Sequence, residues 1–173
     1  MLPIRAIREN VEALLRQHRI KKAPVPVEKI AERLGLDVRY APFDGELSGA
    51  LVRNDGECYI GVNSLHSPNR RRFTIAHELG HYLLHEGVKQ HLDNDFRVNW
   101  RDDKSSKAVN PEEMEANRFA AELLMPAEFL VRDIERIENF DSESAINLLA
   151  RRYRVSREAM KIRLGNFGFI PAG

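Results

Sequence analysis

His77-Glu78-Leu79-Gly80-His81 constrains this chain more than any other stretch of it. Two histidines four apart share one face of a helix, where both imidazoles can turn toward a single ion about 2.0–2.1 Å from each nitrogen. That spacing works only on a helix, so the residues around it should be helical. The flanks agree. Ser67-Pro68 supplies an N-cap with a proline in the first turn, Phe73, Ile75, Ala76, Leu79 and Leu83 supply packing positions, and Gly87 offers a stop. Glu78 lies off the axis joining the two histidines, so its carboxylate can take a proton from a water molecule that the ion has acidified toward a pKa of roughly 7. H-E-x-x-H is the pattern of metal-assisted hydrolysis. The plain alternative is an amphipathic helix with two histidines on its surface.

Catalytic zinc usually takes three protein ligands, so one more is needed. His85 is a further four residues along, but its rise from His77 is about 12 Å at 1.5 Å per residue, too far for one ion. It is expected to pack or to support the site. The helix after the long polar segment offers Glu113 and Asn117, four apart on one face. A carboxylate ligand can be followed one turn later by a group that hydrogen-bonds a ligating histidine and fixes its tautomer. Glu115 and Glu122 point elsewhere on the wheel. Asn110 is also a natural N-cap, which would make Glu113 the third helical residue of a capping box. The residues alone leave ligand and cap as open alternatives.

The rest of the chain has a simple order. Ile4, Ile7, Val11, Leu14 and Leu15 open it with an amphipathic helix, and Val27 to Leu34 forms a second, stopped by Gly35. The period then shortens: residues 36–40, 50–52 and 58–62 read as strands, with Asn54-Asp55-Gly56 as a hairpin turn. After the histidine helix comes a long polar segment, 88–110. A helix then opens at Asn110-Pro111 and is broken at Met125-Pro126, and a final helical pair spans Ser142 to Tyr153 and Ser156 to Leu164. The expected class is α+β: a small antiparallel β-meander packed on a helical core that carries the histidine helix, with a C-terminal helical pair. Residues 1–137 are expected to form the catalytic domain with its N-terminal helix, and 138–173 a helix-turn-helix-like extension packed on the same domain.

Composition excludes some classes of function. Cys58 is the only cysteine, so no internal disulfide can form, which fits a reducing compartment. The N-terminus is quickly interrupted by charge, unlike a signal peptide, and no uncharged apolar run approaches the roughly 18 residues that span a bilayer. A soluble, cytoplasmic protein without a membrane partner is expected. A formal charge of +1 gives no global reason to expect nucleic-acid binding. Locally, Arg151, Arg152, Arg154, Arg157, Lys161 and Arg163 face only Glu158. They could touch DNA, though a solvated helical face is the simpler reading. Cys58 reads as a buried structural thiol, and Tyr82 as a packing residue rather than an oxyanion donor.

The blocks Arg72-Phe73-Thr74-Ile75-Ala76-His77-Glu78-Leu79-Gly80-His81 and Glu113 to Pro126 closely resemble the ImmA/IrrE family of bacterial metallopeptidases. The resemblance runs from about residue 24 to residue 170 and includes the Leu47-Ser48-Gly49-Ala50 turn. It implies one zinc ion (Zn2+) held by His77, His81 and Glu113, with Glu78 as general base. It also implies a protein substrate, a helix-turn-helix repressor whose cleavage relieves repression of mobile-element or stress-response genes. The alternative is a non-catalytic metal-sensing or DNA-binding regulator on the same fold. The intact Glu78 speaks against that, since a sensor needs the histidines but not the base. Segment 88–110 joins the two site helices, and its Phe96, Val98 and Trp100, set among Arg97 and Arg101, are expected to bear on substrate choice.

Overall fold

The computed structural model describes residues 1–43, 47–54, 57–85, 90–93, 110–137 and 141–171. In chain order its elements are α1 (Ile4–Gln17), α2 (Val27–Arg33), β1 (Asp37–Ala41), β2 (Gly49–Asn54), β3 (Glu57–Asn63), α3 (Pro68–Leu84), β4 (Gln90–Asp93), α4 (Pro111–Leu124), α5 (Ala127–Ile134), α6 (Ser142–Tyr153) and α7 (Arg157–Asn166). The chain is α+β, as its periodicities predict. Among the described residues no helix is long and apolar enough to cross a membrane. Residues 94–109 lie outside the described part, and with them Phe96, Arg97, Val98, Trp100 and Arg101.

Helix boundaries follow local chemistry. Ser67 caps α3 by accepting from the Arg70 N–H, Asn110 caps α4 through Glu112, and Ser156 caps α7 through Ala159. Gly35 takes φ +80° just past α2, a left-handed turn that a side chain would resist. Helix α3 ends at Leu84 rather than near Gly87. Its last carbonyls are taken up from outside: the Arg53 guanidinium donates to the oxygens of His81, Tyr82 and His85 at 3.3, 2.8 and 3.2 Å. A helix terminus satisfied by a neighbouring strand has no need of a glycine stop.

The sheet corrects the expected antiparallel meander. Its order is β1-β3-β2-β4, with β3 antiparallel to β2 but parallel to β1. Burial gives the reason. Ile60 and Val62 of β3 are fully buried, whereas β1 is mostly exposed, so β3 takes an interior position and β1 an edge. Asn63 holds the crossing connection: its side-chain N–H groups donate to the Leu47 and Phe43 carbonyls, while its Oδ1 accepts from the Phe43 and Leu65 N–H groups. Strand β4 pairs antiparallel with β2 and was not anticipated. Its sequence, Gln-His-Leu-Asp, carries little apolar signal, and main-chain pairing to an open strand edge requires none.

The core lies between the sheet and the helices, with Leu51, Ile60, Ile75, Leu79, Phe119 and Leu123 all fully buried. The C-terminal helices are tied to it by ionic contacts. Arg163 of α7 makes a two-pronged contact with Glu122 of α4, at 2.8 and 2.6 Å, and also donates to the Met125 carbonyl. Tyr153 and Arg152 of α6 both reach Asp133 of α5 at 2.8 Å.

Candidate metal centre

Gly80 decides how closely the two site helices approach. A Cβ there would lie 3.0 Å from the Ala116 Cα, 3.2 Å from its carbonyl oxygen and 3.2 Å from the Phe119 Cβ. A side chain there would force the α4 backbone to give by a few tenths of an ångström, so glycine suits this close approach, which brings Glu113 to the histidines. His77 and His81 are 1% and 0% exposed, and their Nε2 atoms face each other at 3.1 Å. The Glu113 carboxylate is 3.3 Å from each of them.

These distances can be tested against a metal. For bonds of 2.0–2.1 Å, the edge of a tetrahedron is about 3.3 Å, so the three donors have the spacing of three of its corners. The donor chemistry agrees. Asn117, one turn beyond Glu113, accepts from His77 Nδ1–H through its Oδ1 at 3.0 Å, which leaves Nε2 as a lone pair directed at the other donors. Three electron-pair donors converging at this spacing fit a cation. One donor atom from each of His77, His81 and Glu113 lies within 4.8 Å of the other two.

A second layer of contacts lies behind His81. Its Nδ1 is 3.1 Å from His85 Nδ1, and His85 Nε2 is 3.1 Å from Glu115 Oε2, with all three residues buried. Glu115 also accepts from the Leu2 backbone N–H. Burial pushes the Glu115 carboxyl up, but the Leu2 and His85 hydrogen bonds outweigh it and hold the group below the usual carboxylate range. His85 thus lies beside His81 rather than at the three-donor cluster, with Glu115 as a partner that the sequence reading missed. Arg53 was also missed. Nothing local in β2 reveals that its guanidinium closes the end of the histidine helix.

Glu78 is fully buried on α3. The start of β2 passes close over it: a Cβ on Gly49 would lie 2.2 Å from Thr74 Cγ2 and 3.5 Å from Glu78 Oε1. The glycine lets the strand run against the same face of α3 that carries the carboxylate. Tyr82 packs under the Arg53 guanidinium, 4.9 Å from its ring centre. Cys58 is half-buried in β3, and burial raises its thiol pKa. The basic C-terminal stretch divides. Arg151, Arg154 and Arg157 are exposed, but Arg163 is 6% exposed and belongs to the interior rather than to a solvated face.

Comparison with known proteins gives four findings. Residues 31–165 match the family described as Peptidase_M78, IrrE N-terminal-like domain. The chain is 27% identical over 152 residues to Uncharacterized immunity region protein 2 of Bacillus phage phi105, covering 83% of this chain and 89% of that protein. It is 29% identical over 100 residues to Metallopeptidase ImmA of Bacillus subtilis (strain 168), covering 57% of this chain and 54% of the relative. Among solved structures, a Mycobacterium tuberculosis transcriptional regulator superposes with a TM-score of 0.63 at 20% identity. That match takes in 93% of this chain but only 46% of the other, and it speaks to the fold alone.

Proposed function

The chain belongs to the Peptidase_M78, IrrE N-terminal-like family, and from that premise we propose that it is a zinc-dependent metalloendopeptidase that cleaves a helix-turn-helix transcriptional repressor. The observation that carries the reading is the triangle of His77 Nε2, His81 Nε2 and Glu113, with sides of 3.1, 3.3 and 3.3 Å, on the same helix as a buried Glu78. When bound there, zinc supplies Lewis acidity, polarising a peptide carbonyl and lowering the pKa of water toward about 7.

In this reading His77, His81 and Glu113 hold the ion, and Asn117 keeps His77 in the ligating tautomer. A Glu78 carboxylate oxygen accepts a proton from the attacking water as its oxygen bonds to the peptide carbon. The same oxygen returns the proton to the amide nitrogen as the C–N bond breaks. The repressor as substrate is supported by the resemblance of the two central blocks and by a relative named for an immunity region. A second relative, named as a metallopeptidase, supports peptide-bond hydrolysis.

Two variants test the proposal on one preparation. Glu78→Gln should keep one zinc per chain while cleavage of a candidate repressor falls by about 10²-fold or more. His77→Ala should lose both zinc and cleavage. Cleavage by Glu78→Gln at the wild-type rate, or full zinc content in His77→Ala, would overturn the assignment.

A further inference from the structure

We propose that His85 and Glu115 brace His81, fixing it in the tautomer that carries its proton on Nδ1 and turns an Nε2 lone pair toward the ion. The inference rests on the metal reading above and adds two positioning residues to it. It follows from counting donors and acceptors. An ionised carboxylate only accepts, so the proton between Glu115 Oε2 and His85 Nε2, 3.1 Å apart, sits on the histidine. A neutral imidazole protonated on Nε2 presents a lone pair at Nδ1. With His85 neutral, His81 Nδ1, 3.1 Å from that lone pair, is the donor, and its own lone pair lies on Nε2, toward His77 and Glu113.

Burial gives the brace its force. His81, His85 and Glu115 are 0%, 8% and 6% exposed, so water is poorly placed to take over a lost partner. The Leu2 N–H occupies the other oxygen of Glu115, which holds Oε2 toward His85. Without Glu115, His85 can move its proton to Nδ1, where it would confront His81 Nδ1–H. The relief of that clash is a His81 protonated on Nε2, and a protonated nitrogen cannot ligate. The two ligating histidines are therefore fixed by different means: an amide from α4 orients His77, and a pair formed by His85, just past α3, and Glu115 of α4 orients His81.

Three variants of the full chain test this: His85→Leu, Glu115→Ala and His85→Gln. The glutamine can accept from His81 through its carbonyl and donate to Glu115 through its amide, so it is the conservative rescue. Zinc affinity by chelator competition should fall about 10- to 100-fold in His85→Leu and Glu115→Ala and be largely kept in His85→Gln. Imidazole nitrogen spectra of the metal-free wild type should show His81 protonated on Nδ1. Wild-type zinc affinity in both disrupting variants, or a wild-type His81 protonated on Nε2, overturns the brace. If the wild type itself takes up no zinc, the metal reading fails, and the spectrum of the metal-free protein still decides the tautomer. That spectrum needs no variant to fold.

Discussion

Helix α4 carries two glutamates with opposite fates. Glu122 is 4% exposed and enclosed by cations: Arg163 grips both of its oxygens, and Arg8 approaches at 3.3 Å. Glu113, nearer the start of the helix, keeps 31% of its side chain exposed and is shared between two imidazole nitrogens. Both carboxylates have found partners, but of different kinds. Guanidinium groups carry permanent charge and satisfy Glu122 without anything added. In the proposed metal reading, the two imidazoles turn their Nε2 lone pairs toward Glu113, an arrangement that a cation would complete. The comparison separates a carboxylate enclosed by cations in the interior from one that is partly exposed beside two histidines.

Removing each of these carboxylates should break different things. Glu122→Ala leaves Arg163 buried and uncompensated, and should cost about 3–5 kcal/mol of stability in urea melts. Zinc affinity of the folded fraction should be unchanged. Glu113→Ala should change the stability of the metal-free protein little, because the group is partly exposed, while zinc binding weakens by orders of magnitude. Equal stability losses in the two variants would erase the distinction.

Acid sharpens the same contrast. Burial pushes the Glu122 carboxyl up, but the Arg163 hydrogen bond and charge outweigh it, so its folded pKa lies below the usual value. Such a group contributes its stability above the unfolded pKa of about 4.3 and loses it as pH falls through the lower folded value. Glu122→Gln, which cannot titrate, should therefore show a flatter decline in stability below about pH 4 than the wild type. An identical acid limb in both proteins would assign the acid sensitivity to other carboxylates.

The site was legible largely because its signals are local. His77 and His81 need only one helix, and Glu113 and Asn117 need only another, so spacing marks both pairs as candidates while leaving a capping role open for Glu113. What the sequence left open was the meeting of the two helices. The capping reading of Glu113 loses ground once Asn110 is seen to cap through Glu112 while the Glu113 carboxylate reaches the histidines. The interior position of β3, the reach of Arg53 to α3 and the burial of Arg163 are contacts between residues far apart in sequence. Arg163 looked like one more basic residue in a basic run, because a one-dimensional pattern cannot show which arginine faces a carboxylate 41 residues away.

Gly80→Ala tests the meeting of the helices directly. The added methyl would press on Ala116 backbone atoms at 3.0 and 3.2 Å, and a backbone cannot turn aside as a flexible side chain can. We expect a loss of about 1–3 kcal/mol from overpacking. Zinc affinity should fall as well, because moving α4 outward carries Glu113 away from His77 and His81. A stable Gly80→Ala protein with unchanged zinc affinity would show that the helix approach has slack.

The smallest effect comes from the helix caps and separates the two regions most finely. Asn110 caps α4 just before Glu113, and Ser156 caps α7 at the far end of the chain. Replacing either with alanine removes one side-chain acceptor from a helix start, and each should cost about 1 kcal/mol. The consequences at the metal should differ. In Asn110→Ala the first turn of α4 frays, and Glu113 sits in that turn, so some of the cap energy is drawn from zinc binding. One kilocalorie corresponds to about fivefold in affinity, which bounds the loss. In Ser156→Ala the fraying turn carries none of the candidate ligands, and zinc affinity should match the wild type. Parallel zinc titrations and thermal melts of the two variants give both numbers. A matching drop in zinc affinity for Ser156→Ala would mean that the C-terminal helices and the metal centre respond as one energetic unit, linked through Arg163 and Glu122.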